Sequence, residues 1–552
     1  MFNRLFTSLF SIFFLFLLTA CVNEPVPPGQ GVKISGTITY DRIPVEIGKY
    51  GMISLDYSKT YKQTAKHVLI KALDENELVL YQTTSDNKGH YAVYVPEGID
   101  IKIRVYSKML KEEAWDVSVI DNTNQKAVYA IEGELHDSGS KPSQRDLHAS
   151  SGWDGTSYSG VRDAAPFAIL DSIYTAMEKV INVNSAVNFP KLRINWSVNN
   201  VAASGDRTLG QIITSNYDGE SNLWILGDAN SDTDEYDDHI IIHEWAHYFE
   251  DKFSRSDSIG GPHSSGDALD IRVAFGEGFG NALSAIATDD PIYFDTSGFN
   301  QASGWSMDIE SAEAENPGWF SEASIQRILY DLYDNNKDNQ DNLHLGFAPI
   351  YDAMIGKEKN SPAFTSIFSF IHALKTENVG EANKIDQVVA KEHIATIHDA
   401  YGNYRSNSAN GTYTTPLYRN LNVGRWITQC NQNTYGVYNK LGNRTFIKVN
   451  IDKVGIYNFH AQPYGGAYGD PDIVIYKAKY PLEQMGMSPL EGTSSDTLSI
   501  NLTKGNYLLE VYDASFNNSC FIVKMDKSSA VYKANKMSKP TVKRKPLRLP
   551  QY

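Results

Sequence analysis

Cysteine is scarce in this chain, with three among 552 residues. Cys21 follows an apolar N-terminal run, which leaves Cys430 and Cys520 as an even pair. In an oxidising compartment such a pair can form a disulfide. We therefore predict a disulfide that joins the two ends of a C-terminal segment, with two free buried thiols as the alternative.

An excess of positive charge is also missing. The net charge is −16, and residues 527–552 hold eight Lys and Arg and no acidic residue, so the rest of the chain carries −24. Nucleic-acid binding needs a clustered basic face. The acidic body therefore argues against a nucleic-acid partner, and the basic, proline-bearing tail over 527–552 is predicted to be disordered.

The N-terminal apolar run, residues 5–18, is shorter than the ~20 residues of a comfortable membrane span. Arg4 precedes it, and small residues come directly before Cys21. This arrangement suits cleavage and lipid attachment, and it resembles a bacterial lipoprotein signal. The resemblance implies a signal peptide over 1–20 and a lipid anchor on Cys21. Because Val22 rather than aspartate follows, it also implies the outer membrane or cell surface.

The candidate catalytic and metal-binding residues lie in the run 237–250. This run has an apolar helical pattern and contains one His-Glu-x-x-His sequence. Residues four apart lie on one face of a helix, so His243 and His247 can bind the same cation. Glu244 lies about 100° round the helix and reaches the same place without being a ligand. The alternative is an ordinary amphipathic helix with exposed histidines, but the apolar flanks favour a metal.

A third ligand is expected from a second buried helix over 273–286. Its three glycines each cost roughly 1 kcal/mol against alanine, which indicates close packing on a neighbour. A buried Glu277 is expensive unless it is paired or bound to a metal. We therefore assign Glu277 as the third ligand, with Asn281 one turn later on the same face.

These residues resemble the gluzincin metallopeptidases, and fungalysin most nearly, in which His-Glu-x-x-His and a later glutamate bind zinc. The resemblance covers residues 243–290 and includes Gly-Gly-Pro at 260–262 and Gly-Glu-Gly-Phe-Gly-Asn at 276–281. It implies one catalytic Zn²⁺ and Glu244 as general base. It departs at Asn281, where the family has the aspartate that accepts a hydrogen bond from a ligand histidine.

Two β-rich regions flank this part of the chain. After a tether over 21–32, period-two alternation over 33–130 predicts a small β-sandwich. It resembles a carboxypeptidase regulatory-like domain, which implies a spacer or docking module. Residues 131–160, rich in Gly, Ser, Asp and His, are predicted to be a linker. An inhibitory prosegment over 33–160 is the alternative.

The fold class predicted is multidomain, with an α+β zincin-like domain over 161–426 between two small all-β sandwiches. The second sandwich, 427–526, resembles the one found after many secreted bacterial peptidases. In zincins the strand before the site helix is commonly the sheet edge on which a peptide lies, and residues 223–227 are the candidate here.

Three residues are candidate donors to a developing oxyanion: Tyr330, His344 and His263.

Six of the eleven residues from Asp228 to Asp238 are acidic. Carboxylates at alternate positions can bind Ca²⁺, but Thr233 and His239 stand where an EF-hand has its glycine and its bidentate glutamate. We therefore favour a solvated loop whose last acids cap the site helix. Calcium binding is the alternative.

Together these features predict a zinc-dependent endopeptidase that is anchored to the bacterial envelope and acts on a protein or peptide substrate. A binding lipoprotein is the alternative from another class: its metallopeptidase-like core would have lost turnover, or would keep zinc structurally. Glu244 favours the enzyme, because a purely binding core has no need of it.

Overall fold

The computed structural model describes residues 30–48, 52–311, 313–335, 343–402, 417–465, 469–488 and 495–528. The predicted signal peptide, the lipid site at Cys21 and residues 529–552 of the predicted tail lie outside the described residues. Within the described part of the chain, no helix has both the length and the apolar character needed to cross a membrane.

The α-helices of the described residues all precede the C-terminal strands. They are α1 (Ala165–Val183), α2 (Asp238–Phe253), α3 (Ile271–Thr288), α4 (Glu322–Tyr333), α5 (Phe347–Ala353), α6 (Ile367–Glu377) and α7 (Ala382–Lys391). Helix α3 is almost wholly buried, and Asp270 caps its first turn by accepting from the Arg272 N–H at 3.0 Å. Ser321 caps α4 in the same way.

The largest sheet has ten strands and crosses the predicted boundary at residue 160. Its strands are β5 (Val68–Asp74), β6 (Val79–Thr84), β8 (Asp100–Lys111), β9 (Trp115–Asp121), β10 (Ala127–Val128), β11 (Ala130–Glu132), β12 (His136–Asp137), β15 (Leu192–Trp196), β16 (Asn216–Tyr217) and β17 (Asn222–Ile225). Strand β9 pairs in parallel with β15, with Val119 beside Ile194. Residues 33–130 therefore share a sheet with the part of the chain that holds the predicted site.

Most of the other N-terminal strands form a five-stranded sheet on the same core. They are β1 (Val32–Arg42), β4 (Tyr61–Thr64), β7 (His90–Val95), β13 (Ser143–Gln144) and β14 (Leu147–Ala149), with a separate β2 (Val45–Ile47) and β3 (Ile53–Leu55) pair. Strands β11 to β14 come from residues 131–160 and the residue before them, and they pair with β8 and β1. The predicted linker is thus wrong: these polar residues serve as short strands, which lack a clear apolar alternation.

A small four-stranded sheet stands beside α2 and α3. It consists of β18 (Gly227–Asp228), β19 (Asp232–Thr233), β20 (Ile292–Ser297) and β21 (Ser303–Asp308). Strand β20 follows α3 directly and packs against both helices. Strands β18 and β19 precede α2 in the sequence, and β20 and β21 follow α3. The sheet therefore brings residues from before and after the two helices together at one end of the site.

The C-terminal strands form a β-sandwich with a core of its own. One sheet contains β22 (Tyr418–Leu421), β24 (Arg444–Ile451), β26 (Pro471–Lys477), β27 (Glu483–Met487) and β29 (Gly505–Asp513); the other contains β23 (Arg425–Cys430), β25 (Gly455–Pro463), β28 (Asp496–Leu502) and β30 (Cys520–Lys527). Cys430 and Cys520 lie opposite each other on β23 and β30 and form a disulfide bond.

A buried ion cluster joins this sandwich to α3. The Arg272 guanidinium on α3 pairs with Glu510 on β29 at 2.9 Å, and Arg444 on β24 pairs with the same carboxylate at 2.7 Å. Arg272 is 2% exposed and also pairs with Asp270. The chain therefore folds into more than one domain, but the domains are joined by charged groups that are buried.

Candidate metal centre

Two helices bring three candidate ligands together. The Nε2 atoms of His243 and His247, one turn apart on α2, lie 3.1 Å from each other. From α3, Glu277 Oε2 lies 3.2 Å from His243 Nε2 and 3.4 Å from His247 Nε2. Two imidazoles and a carboxylate that converge in this way match the donor set of catalytic zinc sites. These three residues would hold the metal.

The charges at the centre are strongly coupled. Burial favours the neutral form of Glu277, but His247, His243 and His263 outweigh it and hold the pKa of this carboxyl well below its usual range. Burial likewise opposes the charged form of His247, but Glu277 and Glu250 raise the pKa of its ring well above the usual range. Glu277 therefore carries its negative charge between the two rings, where it attracts a proton or a cation.

Both histidines have a partner on the ring nitrogen that faces away from the shared position. His243 Nδ1 donates to Asn281 Oδ1 at 2.8 Å, and the Asn281 Nδ2 donates to Gln326 Oε1 on α4 at 2.8 Å. His247 Nδ1 lies 3.4 Å from Glu250 Oε2. Such partners fix the ring orientation and the tautomer of ligand histidines. Glu250 was not predicted from the sequence, although its spacing of three residues from His247 on one helix was the available signal.

Glu244 lies beside the ligands and is half-buried. Its Oε2 accepts a hydrogen bond from the Tyr217 N–H of β16 at 2.7 Å. Burial raises the pKa of the Glu244 carboxyl, Glu277 adds to this, and the two histidines oppose it. A carboxylate with a raised pKa is suited to accept a proton in neutral solution.

Strand β17, which was predicted to be an exposed edge, is not the edge of the ten-stranded sheet. Strand β17, which contains most of the predicted edge segment 223–227, pairs on one side with β15 and on the other with β16. The edge expected at β17 is therefore occupied by two residues, Asn216 and Tyr217. The sequence signal for β16 was too short to recognise, because a two-residue strand has no periodicity.

Of the three candidate donors, only His263 lies at the centre. Its Nε2 is 3.2 Å from Glu277 Oε2, and its Nδ1 is 2.8 Å from Glu322 Oε2. The two carboxylates outweigh burial and raise the pKa of His263 to about 10. Tyr330 packs on Tyr333, and His344 Nδ1 bonds the Asp334 carbonyl. In the described part of the chain, neither has a hydrogen bond to the three candidate ligands.

Tyr293 on β20 is a further residue at the centre that the sequence analysis missed. Its ring lies 6.4 Å from the His243 ring and stacks on Trp305 at 5.6 Å. Burial raises the pKa of its hydroxyl, and Glu244 and Glu277 raise it further, so the hydroxyl keeps its proton. No motif marks Tyr293, because only the pairing of β20 in the small sheet brings it to α2.

A cleft of about 380 Å³ adjoins the centre. Its lining includes Gln326, which bonds Asn281, as well as Trp305 and Met307 from β21. Asp308, Glu313 and Glu315 lie on its walls and give it a negative charge. The cleft thus reaches the Gln326 side chain, which is one hydrogen bond away from Asn281.

The acidic run before α2 is folded inward, so the prediction of a solvated loop is wrong. Asp234 is 3% exposed and Asp237 is fully buried, and carboxylate oxygens of Asp232, Asp234 and Asp295 lie within 4.8 Å of one another. The Asp237 side chain does not cap α2 but accepts from the Thr296 N–H at 2.8 Å. Burial and Asp232 raise the pKa of Asp295 to about 7. Calcium binding here stays an untested alternative.

No protein-family model matches the chain, and no curated protein matches it. Among solved structures, it is similar to the pre-peptidase C-terminal domain of a collagenase from Bacillus anthracis, at 10% identity over 20% of this chain and 94% of that one, with a TM-score of 0.17. A carbohydrate-binding module from a Cellvibrio mixtus lichenase, in complex with cellotriose, is similar at 15% identity over 19% and 88%, with a TM-score of 0.13.

A cycloisomaltooligosaccharide glucanotransferase from Paenibacillus sp. is similar at 10% identity over 89% of this chain and 72% of that one, with a TM-score of 0.13. The first two neighbours are β-sandwiches, which is also the architecture of the C-terminal strands here. Because all three TM-scores are below 0.5, the interpretation of the metal centre rests on its own geometry.

Proposed function

We propose that this protein is a zinc-dependent endopeptidase of the gluzincin type. The observation that carries the proposal is the convergence of His243, His247 and Glu277 from two helices, with Glu244 beside them. Asn281 and Glu250 support it, because each stands behind one ligand histidine at the place where such rings need a partner. Anchoring through Cys21 to the bacterial envelope is part of the proposal.

Zinc bound to these three residues would lower the pKa of a water molecule toward about 7 and polarise the scissile carbonyl. Glu244 is held by the Tyr217 N–H through Oε2, which leaves Oε1 to take the proton from the water. The same oxygen then gives that proton to the leaving amine. His263, charged in neutral solution, and Tyr293, whose ring lies 6.4 Å from the His243 ring, are the candidate donors to the negative charge that develops.

The direct test is the cleavage of an unfolded protein by the purified 22–552 chain and by Glu244→Gln. We expect Glu244→Gln to lose at least about 10²-fold in kcat, because it removes the proton acceptor, while it keeps about one zinc per molecule. Glu483→Gln, which changes an exposed carboxylate of the C-terminal sandwich, is the matched control and should cleave at the wild-type rate. Equal activity in wild type and Glu244→Gln would contradict the proposal.

One observation favours a second candidate, a zinc site with a structural role. His263 Nε2 lies as close to Glu277 Oε2 as His243 Nε2 does, at 3.2 Å. If His263 became a fourth ligand, the site would be closed to water, as structural zinc sites are. His263→Ala separates the two candidates: a structural site loses zinc affinity in an inactive protein, whereas the peptidase keeps zinc and loses turnover.

A further inference from the structure

The loop between α2 and α3 carries His263 at its middle, and the C-terminal part of the chain holds this loop on both sides. The holding segment, Tyr438–Leu441, lies about 175 residues later in the sequence and precedes β24. Gly261 makes the approach possible, since a Cβ atom there would lie 2.7 Å from the Tyr438 ring. The backbone of the loop thus packs directly on this segment.

On the N-terminal side of His263, three side chains of the segment bond loop carbonyls. The Tyr438 hydroxyl donates to Ile259 O at 3.0 Å, and the Asn439 Nδ2 donates to both Gly260 O and Pro262 O at 3.1 Å. Lys440 Nζ also donates to Pro262 O, at 2.6 Å. The carbonyl that directly precedes His263 therefore accepts two hydrogen bonds from the C-terminal part of the chain.

On the other side of His263, the bonds are mainly between backbones. The Asp270 N–H donates to Asn439 O at 2.8 Å, and the Leu441 N–H donates to Ala268 O at 2.9 Å. Lys440 Nζ pairs with Asp267 Oδ2 at 3.0 Å. Asn439 therefore bonds the loop on both sides of His263, through its side chain and through its carbonyl, and it is 1% exposed.

The same domain also holds the start of α3. Arg272 lies between Asp270 and Glu510, and Arg444 supports Glu510 from β24. Glu277 follows Arg272 by five residues on the same helix. Both His263 and Glu277 thus lie within a few residues of a position that is bonded to the C-terminal part of the chain.

We propose that the C-terminal part of the chain belongs to the active centre: segment 438–441 positions the His263 imidazole against Glu277, with Asn439 as the main positioning residue. This inference rests on the proposed peptidase function for its effect on turnover. The sandwich would then be required for catalysis as well as for stability. A displacement of His263 by about 1 Å can cost on the order of 10²-fold in rate.

The test compares Asn439→Ala with Asn431→Ala in the 22–552 chain. Asn431 is a matched control, because it is also a buried amide that donates to two carbonyls, but both belong to the C-terminal part of the chain, at Asn443 and Val511. Amide hydrogen exchange over residues 259–267 reports the loop without reference to activity. We expect faster exchange there in Asn439→Ala, and wild-type exchange in Asn431→Ala.

Turnover is measured in the same proteins and in a double-mutant cycle with His263→Ala. We expect Asn439→Ala to lower kcat by 10-fold or more, with zinc retained, and to have no further effect once His263 is alanine. Lys440→Met serves as a milder second variant if Asn439→Ala does not fold, and it should show the same pattern at smaller size.

Unchanged exchange over 259–267 in both Asn439→Ala and Lys440→Met would overturn the proposal. The proposal would also be overturned if Asn439→Ala lowered kcat by the same factor whether residue 263 is histidine or alanine. If the wild-type chain shows no peptidase activity, the proposed function fails, and the exchange data alone then decide whether the segment holds the loop.

Discussion

At His243, the ring nitrogen that faces away from the candidate metal position meets an amide, where the resemblance to gluzincins predicts a carboxylate. The Asn281 side chain accepts from His243 through its oxygen and donates to Gln326 through its nitrogen, both at 2.8 Å. An uncharged acceptor raises the basicity of the histidine less than a carboxylate does. The amide also links α2 to α4 by hydrogen bonds. A carboxylate cannot donate to Gln326 Oε1, so it would keep this link only if the Gln326 amide flipped and donated its N–H.

Substitutions at Asn281 separate these two roles. We expect Asn281→Leu to weaken zinc binding by about 10 to 100-fold, because the His243 ring proton loses its partner. Asn281→Asp should bind zinc at least as tightly as wild type, since Gln326 can present its nitrogen to the new carboxylate. Competition with a chelator gives the three affinities, and three equal constants would mean that Asn281 only packs between helices.

At the scale of elements, helix α3 can pack closely against α2 and α4 because it has glycine at the points of contact. A Cβ atom on Gly280 would lie 2.8 Å from the His243 ring, and one on Gly278 would lie 2.7 Å from the Ile325 side chain on α4. A Cβ on Gly276 would meet Glu250 Oε2 at 3.5 Å, which is an ordinary contact. The close packing predicted from three glycines thus applies to two of them.

This difference gives a matched pair of substitutions in one helix. Gly280→Ala should reduce zinc affinity by 10-fold or more, because the new methyl group displaces the His243 ring, even though alanine favours the helix. Gly276→Ala should bind zinc as wild type does and raise the free energy of unfolding by about 1 kcal/mol. Chelator competition and thermal unfolding measure the two effects. Wild-type zinc affinity in Gly280→Ala would contradict the first expectation.

At the scale of the whole molecule, the N-terminal strands are built into the body that carries the site. Strand β9 is a neighbour of β15 in the ten-stranded sheet, and Arg42 at the end of β1 pairs with Asp238 in the first turn of α2. Tyr40 also donates to Asp171 on α1 at 2.8 Å. A prosegment that is cut away would take these partners with it.

We therefore expect residues 33–160 to remain in the active protein. The fragment 161–552 should fail to fold, because β15 would lose β9 and the shared core would be opened to water. The intact mass of the active form, together with the circular dichroism and solubility of the fragment, checks this. An active form that begins near residue 161 would restore the prosegment interpretation.

The ion cluster between the domains predicts a loss of stability in acid. Burial alone would raise the pKa of Glu510, but Arg272 and Arg444 outweigh burial and lower it to about 2. Because the folded pKa lies below the ordinary value of about 4.3, the contribution of Glu510 is complete above that value and is lost as the pH falls toward 2.

Glu510→Gln tests this directly, because it keeps the shape and removes the charge. It should lower the free energy of unfolding at pH 7 by about 3–5 kcal/mol, since it leaves buried arginines short of a counter-charge. Its stability should also change less with pH than that of wild type below about pH 4.3. Glu483→Gln is the exposed control, and equal acid sensitivity in all three proteins would contradict the assignment.

The sequence by itself determined what depends on local geometry. His243 and His247 share a face because any helix places residues four apart together, and the glycines and the single acid of α3 predicted a buried helix with one candidate ligand. The C-terminal strands were recognisable by alternation, which is a property of each strand alone. These signals need no knowledge of what a residue packs against.

Only the tertiary structure decided what depends on partners distant in sequence. It brought His263 into contact with Glu277 and Tyr293 close to His243, and it joined β9 to β15 across a predicted boundary. It also buried Asp234 and Asp237, which polar composition had assigned to solvent. In each case the deciding contact joins side chains or strands of different elements, and neither periodicity nor composition carries information about such pairs.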